Sequence, residues 1–180
     1  FSGVHALSNV NFAVRPGKVM CLAGENGCGK STLVKIISGV YTKDEGEVWF
    51  QGEKINKITP AEATRLGIQV IYQDLSIFPN LTVRENLAMN SEITANRHFV
   101  SRKRMDAIAR EALSKIGHDI DLDAKMGDLS VADKQLIAIC RALLFNAKLI
   151  IMDEPTTALT KKEVDALFKT VRQLRDRGIA

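Results

Sequence analysis

Apolar residues in the first 72 positions come in short runs punctuated by turn residues, and the runs Val10 to Val14, Val19 to Ala23, Glu47 to Phe50 and Ile68 to Tyr72 predict strands. The run Val19, Met20, Cys21, Leu22, Ala23 is unbroken, as a strand buried on both faces requires. Leu33, Ile36, Ile37 and Val40 fall at i, i+3, i+4 and i+7, the stripe of an amphipathic helix. A second helix opens at Thr59, Pro60 and Glu62, a capping box with proline at the first helical position. From Thr82 the period changes. Thr82 and Glu85 form another capping box, and Met105, Ile108, Ala112, Leu113 and Ile116 make a helical stripe with few strand signals before residue 148. Leu149 to Met152 then predict a second buried strand, and Thr160 with Glu163 caps a last helix whose Val164, Leu167, Phe168, Val171 and Leu174 are expected to face the sheet. The pattern is α/β with a helical insertion, in one domain of 180 residues.

Between the Val19–Ala23 run and the first helix lies GENGCGKST, Gly24 to Thr32. A strand, two glycines flanking four residues, a lysine, a hydroxyl and a helix make the P-loop pattern in its proper context. Gly24, Gly27 and Gly29, with Glu25, Asn26 and Cys28 between them, let a ring of backbone N–H groups approach a phosphate at a helix N-terminus. Lys30 adds a full charge for the β- and γ-phosphates, Ser31 a hydroxyl for Mg²⁺, and Thr32 a hydroxyl for the α-phosphate. The expected ligands are a nucleoside triphosphate and Mg²⁺. Asp153 and Glu154 end the apolar strand 149–152, where the first can hold the Mg²⁺ shell and the second can polarise an attacking water.

Composition narrows the classes. With 25 basic and 21 acidic residues the net charge of +4 is mild, and the basic cluster Arg97, His98, Arg102, Lys103, Arg104 lacks the interleaved aromatics that stack bases, so no nucleic-acid partner is expected. Cys21, Cys28 and Cys140 show no CxxC spacing, which predicts reduced thiols in a cytosolic compartment, with Cys21 and Cys140 as core filler. His5, His98 and His118 stand apart from any ligand cluster, so no transition metal is assigned. No apolar run approaches the ~20 residues of a membrane span, and the first residues carry no secretory pattern.

The segments GENGCGKST, VIYQDLSIFPNLTVRENL, LSVADKQLIAICRAL and LIIMDEPTTAL, in this order and spacing, resemble the ATPase domain of an ATP-binding cassette transporter over nearly the whole chain. That resemblance implies a P-loop NTPase sheet core, 1–74 and 147–180, with a helical subdomain, 75–146, inserted after the Q-loop. It makes Glu154 the catalytic base. Gln73 matches the Q-loop glutamine that contacts Mg²⁺ and the attacking water, and its loop meets the permease. Leu129, Ser130, Val131, Ala132 and Asp133 match the signature that contacts the γ-phosphate held by a second ATPase domain in a head-to-tail pair. Ala158 to Thr160 match the D-loop, and Phe1 the aromatic that stacks on adenine. The phrases GVHALSNVNFAV, ITPAEATRLGIQVIYQD and DEPTTALTKKEV are similar to the N-terminal half of the tandem ATPase subunit of bacterial monosaccharide importers of the ribose and galactose type. The implied setting is the cytoplasmic face of the membrane, peripherally bound to permease subunits and served indirectly by a periplasmic sugar-binding protein. A soluble cassette ATPase acting in translation or DNA maintenance is the alternative, and the apolar Ile77, Phe78, Pro79 and Leu81 after Gln73 favour a partner helix over it. A small-molecule kinase would need neither a Q-loop nor a signature.

The chain departs from the family pattern at three places. The signature, commonly LSGGQ, reads LSVAD, which sets two Cβ atoms and the Asp133 carboxylate where a phosphate approaches. Thr160 replaces the D-loop aspartate. The switch histidine has no counterpart before Ala180, so the 180 residues are expected to be a fragment cut at both ends that binds ATP better than it turns it over.

Overall fold

The computed structural model describes residues 5–72, 74–94 and 101–180. Phe1 and Gln73, and with them the adenine-stacking and Q-loop assignments, lie outside the described residues, as do Arg97 and His98 of the basic cluster. The chain forms two compact units. One takes the residues up to Val70 together with 147–151 and 174–180, and the other takes 71–146 and 152–173. The division implied by the family resemblance differs in placing the whole of 147–180 with the first 74 residues.

In the first unit, helix α1 (Lys30–Ile37) follows the glycine loop. Strands β1 (Val48–Phe50) and β2 (Glu53–Ile55) pair antiparallel, Val48 opposite Ile55 and Phe50 opposite Glu53. Gln51 and Gly52 join them with φ of 52° and 83°, the two left-handed residues that a tight hairpin turn demands. Helix α2 (Pro60–Leu66) begins at the expected box: the Thr59 hydroxyl accepts from the Glu62 N–H, and the Glu62 carboxylate accepts from the Thr59 N–H at 2.8 Å. It stops at Gly67, whose φ of 91° only glycine adopts without strain. Strands β3 (Ile68–Ile71) and β4 (Leu149–Met152) lie side by side. The Gly67 carbonyl accepts from Leu149 N–H at 3.1 Å and the Ile71 carbonyl from Asp153 N–H at 3.0 Å, so the two run in the same direction. The other side of β4 pairs with the chain end, where Ala180 accepts from Ile150 N–H at 2.8 Å and donates to the Lys148 carbonyl at 3.0 Å.

The second unit is built on helices α3 (Val83–Thr94), α4 (Arg102–Ser114) and α5 (Val131–Leu144), which pack on one another. Val83, Leu87, Ala88, Ala109, Ala112, Met126, Ile137, Ile139 and Cys140 are at most 1% exposed, a continuous dry core. Small alanines on α3 and α4 let the helix axes approach, and Leu87, Met126 and Ile139 fill the space between. The Thr82–Glu85 box opens α3. Arg84 is buried with Asp106 and Asp123 as ion-pair partners, and Arg102 reaches Asp123 at 2.8 Å, so the α3 start, α4 and the 119–125 loop share one charge network. Helix α6 (Lys161–Asp176) is capped by Thr160 and Glu163 as expected.

Five expectations are corrected. Residues 10–14 and 19–23 make no strand, and Val10, Phe12, Val19, Met20 and Leu22 are 41–63% exposed. A strand needs hydrogen-bonding neighbours, and an apolar run states a demand for burial without supplying them. Cys21 in that run is exposed and is not core filler. Strand β4 is half-buried along its length, not buried. On α6 the buried line is Leu167, Thr170 and Leu174, which turns Phe168 outward at 45% exposure. Val40 likewise lies past the end of α1 and is exposed, because Gly39, at φ 77°, turns the chain where a Cβ would sit 2.6 Å from the Thr59 backbone.

Candidate functional site

The loop Gly24–Thr32 is exposed through Cys28 and closes onto α1. One of its glycines is sterically required: a Cβ on Gly29 would lie 2.7 Å from Leu7 Cδ2 and 2.8 Å from the Ala6 carbonyl oxygen, whereas one on Gly24 would meet only the Cys28 side chain, its Sγ at 2.6 Å, which can turn away. Gly27 and Gly29 have φ of 83° and 95°. The first helical bond of α1 is Leu33 N–H to the Gly29 carbonyl at 2.9 Å, so the N–H groups of Lys30, Ser31 and Thr32 precede the ladder and are free of helical partners. Lys30 folds back over the loop, its Nζ donating to the carbonyls of Gly24 and Glu25, both at 2.7 Å, with Cys28 Sγ at 3.7 Å. A cation centred over a loop that presents unpaired amides at a helix N-terminus is a cradle for a polyanion. The Ser31 side chain is exposed beside it and brings the hydroxyl that suits a hard cation.

In the second unit the acidic pair continues from β4. Asp153 is half-buried and held through its N–H to Ile71, while Glu154 is exposed with φ 47°, a left-handed conformation for a residue that precedes proline. Thr157 steadies it, its hydroxyl donating to the Glu154 carbonyl at 3.4 Å and to Glu154 Oε2 at 3.3 Å. A small cleft opens here, lined by Tyr72, Leu75, Gln135, Met152, Asp153 and Glu154 among others.

The signature segment has its own local chemistry. Leu129 is half-buried, and Ser130 is the N-cap of α5, accepting from the Asp133 N–H at 3.1 Å. Asp133 returns the bond: its Oδ2 accepts from Ser130 Oγ at 2.8 Å, and its Oδ1 lies 3.3 Å from His118 Nε2. The carboxylate that replaces the usual glutamine is thus tied to its own helix start. Val131 is 39% exposed and Ala132 half-buried, on the first turn. Lys134 donates to the Gly127 carbonyl at 2.9 Å. At Ala158–Thr160, Thr160 is occupied as the α6 cap.

The family model of the ABC transporter matches residues 7–157. The chain belongs to the ABC transporter family. It is 43% identical over 180 residues to the galactofuranose transporter ATP-binding protein YtfR of Escherichia coli, covering 100% of this chain and 36% of that protein. To the ribose import ATP-binding protein RbsA of Clostridium perfringens it is 45% identical over 181 residues, with the same two coverages. This ABC family chain therefore spans about a third of the length of the curated relatives it matches. Among solved structures, the ADP conformation of MJ1267, an ATP-binding cassette of an ABC transporter, matches with a TM-score of 0.86 at 32% identity, over 99% of this chain and 74% of that one. The dimeric post-hydrolysis state of the cassette MJ0796, bound to ADP and Pi, matches with a TM-score of 0.76 at 29% identity. The fold is that of the ATP-binding cassette, and within the ABC family chain no helix among the described residues is long and apolar enough to cross a membrane.

Three residues that touch this chemistry were not singled out by the apolar pattern. His118 meets Asp133 from a turn 15 residues away. Arg141 donates to the Ser76 carbonyl at 2.7 Å, across 65 residues, where burial depresses the guanidinium's proton affinity. Gln135 reaches Pro155, and its only signal in sequence is a lone amide opening the otherwise apolar run QLIAIC.

Proposed function

We propose that this chain is the ATP-binding and ATP-hydrolysing domain of a tandem ATPase subunit that powers monosaccharide import. The observation that carries the reading is the loop 24–32, with Lys30 over unpaired helix N-terminal amides, in a chain whose relatives are named for ribose and galactofuranose transport. In this reading the Gly24–Thr32 backbone binds the β-phosphate, Lys30 bridges the β- and γ-phosphates, and Thr32 orients the α-phosphate. Ser31, Asp153 and Gln73 are the residues that would hold Mg²⁺, which would supply charge neutralisation for the transferred phosphoryl group. Glu154 takes a proton from the attacking water, and Phe1 stacks on adenine. Leu129 to Asp133 address the nucleotide of a second ATPase domain, and the helical unit with the Q-loop engages permease subunits at the cytoplasmic face, with a periplasmic sugar-binding protein acting beyond the membrane. The relatives' names give no support to a soluble role in translation or DNA maintenance.

The test is nucleotide binding and turnover in the full-length protein. Lys30→Ala should lower Mg-ATP affinity by about 100-fold or more, since charge-assisted bonds to phosphate are the strong ones. Glu154→Gln should leave affinity within about threefold while stalling hydrolysis by at least about 100-fold. Unchanged affinity in the first variant would sink the phosphate assignment, and equal turnover in the second would remove Glu154 from the chemistry.

A further inference from the structure

Gln135 lies on the second turn of α5, five residues after the signature serine, and is only 8% exposed. Its Nε2 donates to the Pro155 carbonyl at 2.5 Å, and its Oε1 is buried with no hydrogen-bond partner among the described residues. A carbonyl can only accept, so the amide face turned to Pro155 must be the NH₂. The helix around it is otherwise apolar in this region: Leu136, Ile137, Ala138, Ile139 and Cys140 are all buried. A methionine or leucine would fill the same space without leaving an acceptor unpaired, so packing alone gives no reason for an amide here.

The reason lies one peptide upstream. Glu154 holds a left-handed φ of 47° immediately before a proline, a conformation that persists only where the surroundings over-determine it. Pro155 has no N–H with which to anchor itself, and its ring fixes only its own φ. The described bonds at this turn are the Asp153 N–H to the Ile71 carbonyl just before it, Thr157 to Glu154 on one side, and Gln135 to the Pro155 carbonyl on the other. The Thr157 bonds are long and exposed, whereas the Gln135 bond comes from a buried side chain in the interior of a helix. Gln135 and Glu154 also line the same cleft.

We propose that Gln135 is a positioning residue for Glu154: its amide fixes the Pro155 carbonyl, and through the Glu154–Pro155 peptide it holds the catalytic carboxylate in its strained, outward conformation. The proposal rests on the reading of Glu154 as general base. It also makes the start of the signature helix and the base's backbone one mechanical piece, since Ser130 and Gln135 share α5.

The experiment compares Gln135→Met and Gln135→Leu, which keep volume and lose the donor, with Glu154→Gln and the double variants, all in the full-length protein. Each single Gln135 variant should lower kcat by about 10- to 100-fold, the loss expected when a reacting group is displaced by about 1 Å, with KM for ATP and the thermal midpoint close to wild type. On the residual single-turnover rate of Glu154→Gln, adding Gln135→Met should cause no further drop, because the group it positions is already gone. A kcat within twofold of wild type in the variant that folds would overturn the proposal. So would a further tenfold loss on the Glu154→Gln background, which would mean that Gln135 acts through the signature, or a parallel change of kcat, KM and thermal midpoint, which would mean general loosening. Full turnover in Glu154→Gln alone would overturn the base assignment and this proposal together, whereas a stalled Glu154→Gln with normal Gln135 variants would overturn only the latter.

Discussion

The helices of residues 83–144 and the segment of residues 10–23 are both rich in apolar side chains, yet the first holds side chains at 0–1% exposure and the second leaves Val19 at 63% and Met20 at 53%. The difference lies in where the backbone finds its partners. A helix satisfies its own N–H and C=O groups within four residues, so an apolar stripe can be buried as soon as another helix meets it. An extended segment satisfies none of its own groups, and no strand among the described residues pairs with 19–23. Side-chain pattern and backbone pairing are separate demands, and only in the helices do they have one solution.

The largest test of this contrast is thiol reactivity. Cys140, at 0% exposure, has its thiol pKa pushed up to about 12 by burial, while Cys21 and Cys28 are exposed in and beside the loop. Cys140 should label at least about 100-fold more slowly than either, because burial disfavours its thiolate and shuts out the reagent. Mass spectrometry of a timed alkylation reads this, and equal labelling of Cys21 and Cys140 would mean that the 19–23 segment is buried after all.

Next come core truncations. Leu87→Ala and Met126→Ala should each lower unfolding free energy by about 2–5 kcal/mol, whereas Val19→Ala should stay within about 0.5 kcal/mol. Denaturant titration compares them, and a large Val19 effect would erase the distinction. Smaller still is the cap of α3, where Thr82→Ala should cost about 1 kcal/mol by leaving the Glu85 N–H unpaired.

The smallest effect is in acid. The Thr82 N–H and hydroxyl hold the Glu85 carboxyl below its ordinary 4.5. A carboxylate whose folded pKa is depressed contributes stability that is fully present above the unfolded pKa and is lost as pH falls through the folded one. Stability of the wild type should therefore fall more steeply below about pH 4.5 than that of Glu85→Gln, with the two curves parallel near neutrality. Melting curves between pH 3 and 7 check this, and identical acid limbs would remove Glu85 from the linkage.

Much of the architecture was legible where a local rule was decisive. The three Thr-x-x-Glu boxes at 59, 82 and 160 all form, because cap and carboxylate are three residues apart and need nothing else. Of the stripe along and just past α4, Ala112, Leu113 and Ile116 are buried while Met105 and Ile108 are half-buried. Strand β2 escaped notice because Glu53–Ile55 is too short and charged to alternate, and only the Gln51–Gly52 turn could have announced it. At the candidate site the same divide holds. The loop 24–32 is read from contiguous residues, while Gln135–Pro155, Arg141–Ser76 and His118–Asp133 join positions 15 to 65 apart that no period connects.

Lys30 resting on the carbonyls of Gly24 and Glu25 has a consequence for discrimination. The ammonium is not idle, so an arriving anion must displace two short bonds before it gains the charge. A lone chloride offers no second set of contacts to make the exchange worthwhile. A polyphosphate does, because while one phosphoryl group takes the ammonium another meets the amides of Lys30, Ser31 and Thr32. The resting lysine thus favours ligands that reach the ammonium and the amides at once over single ions that must displace both bonds for one contact.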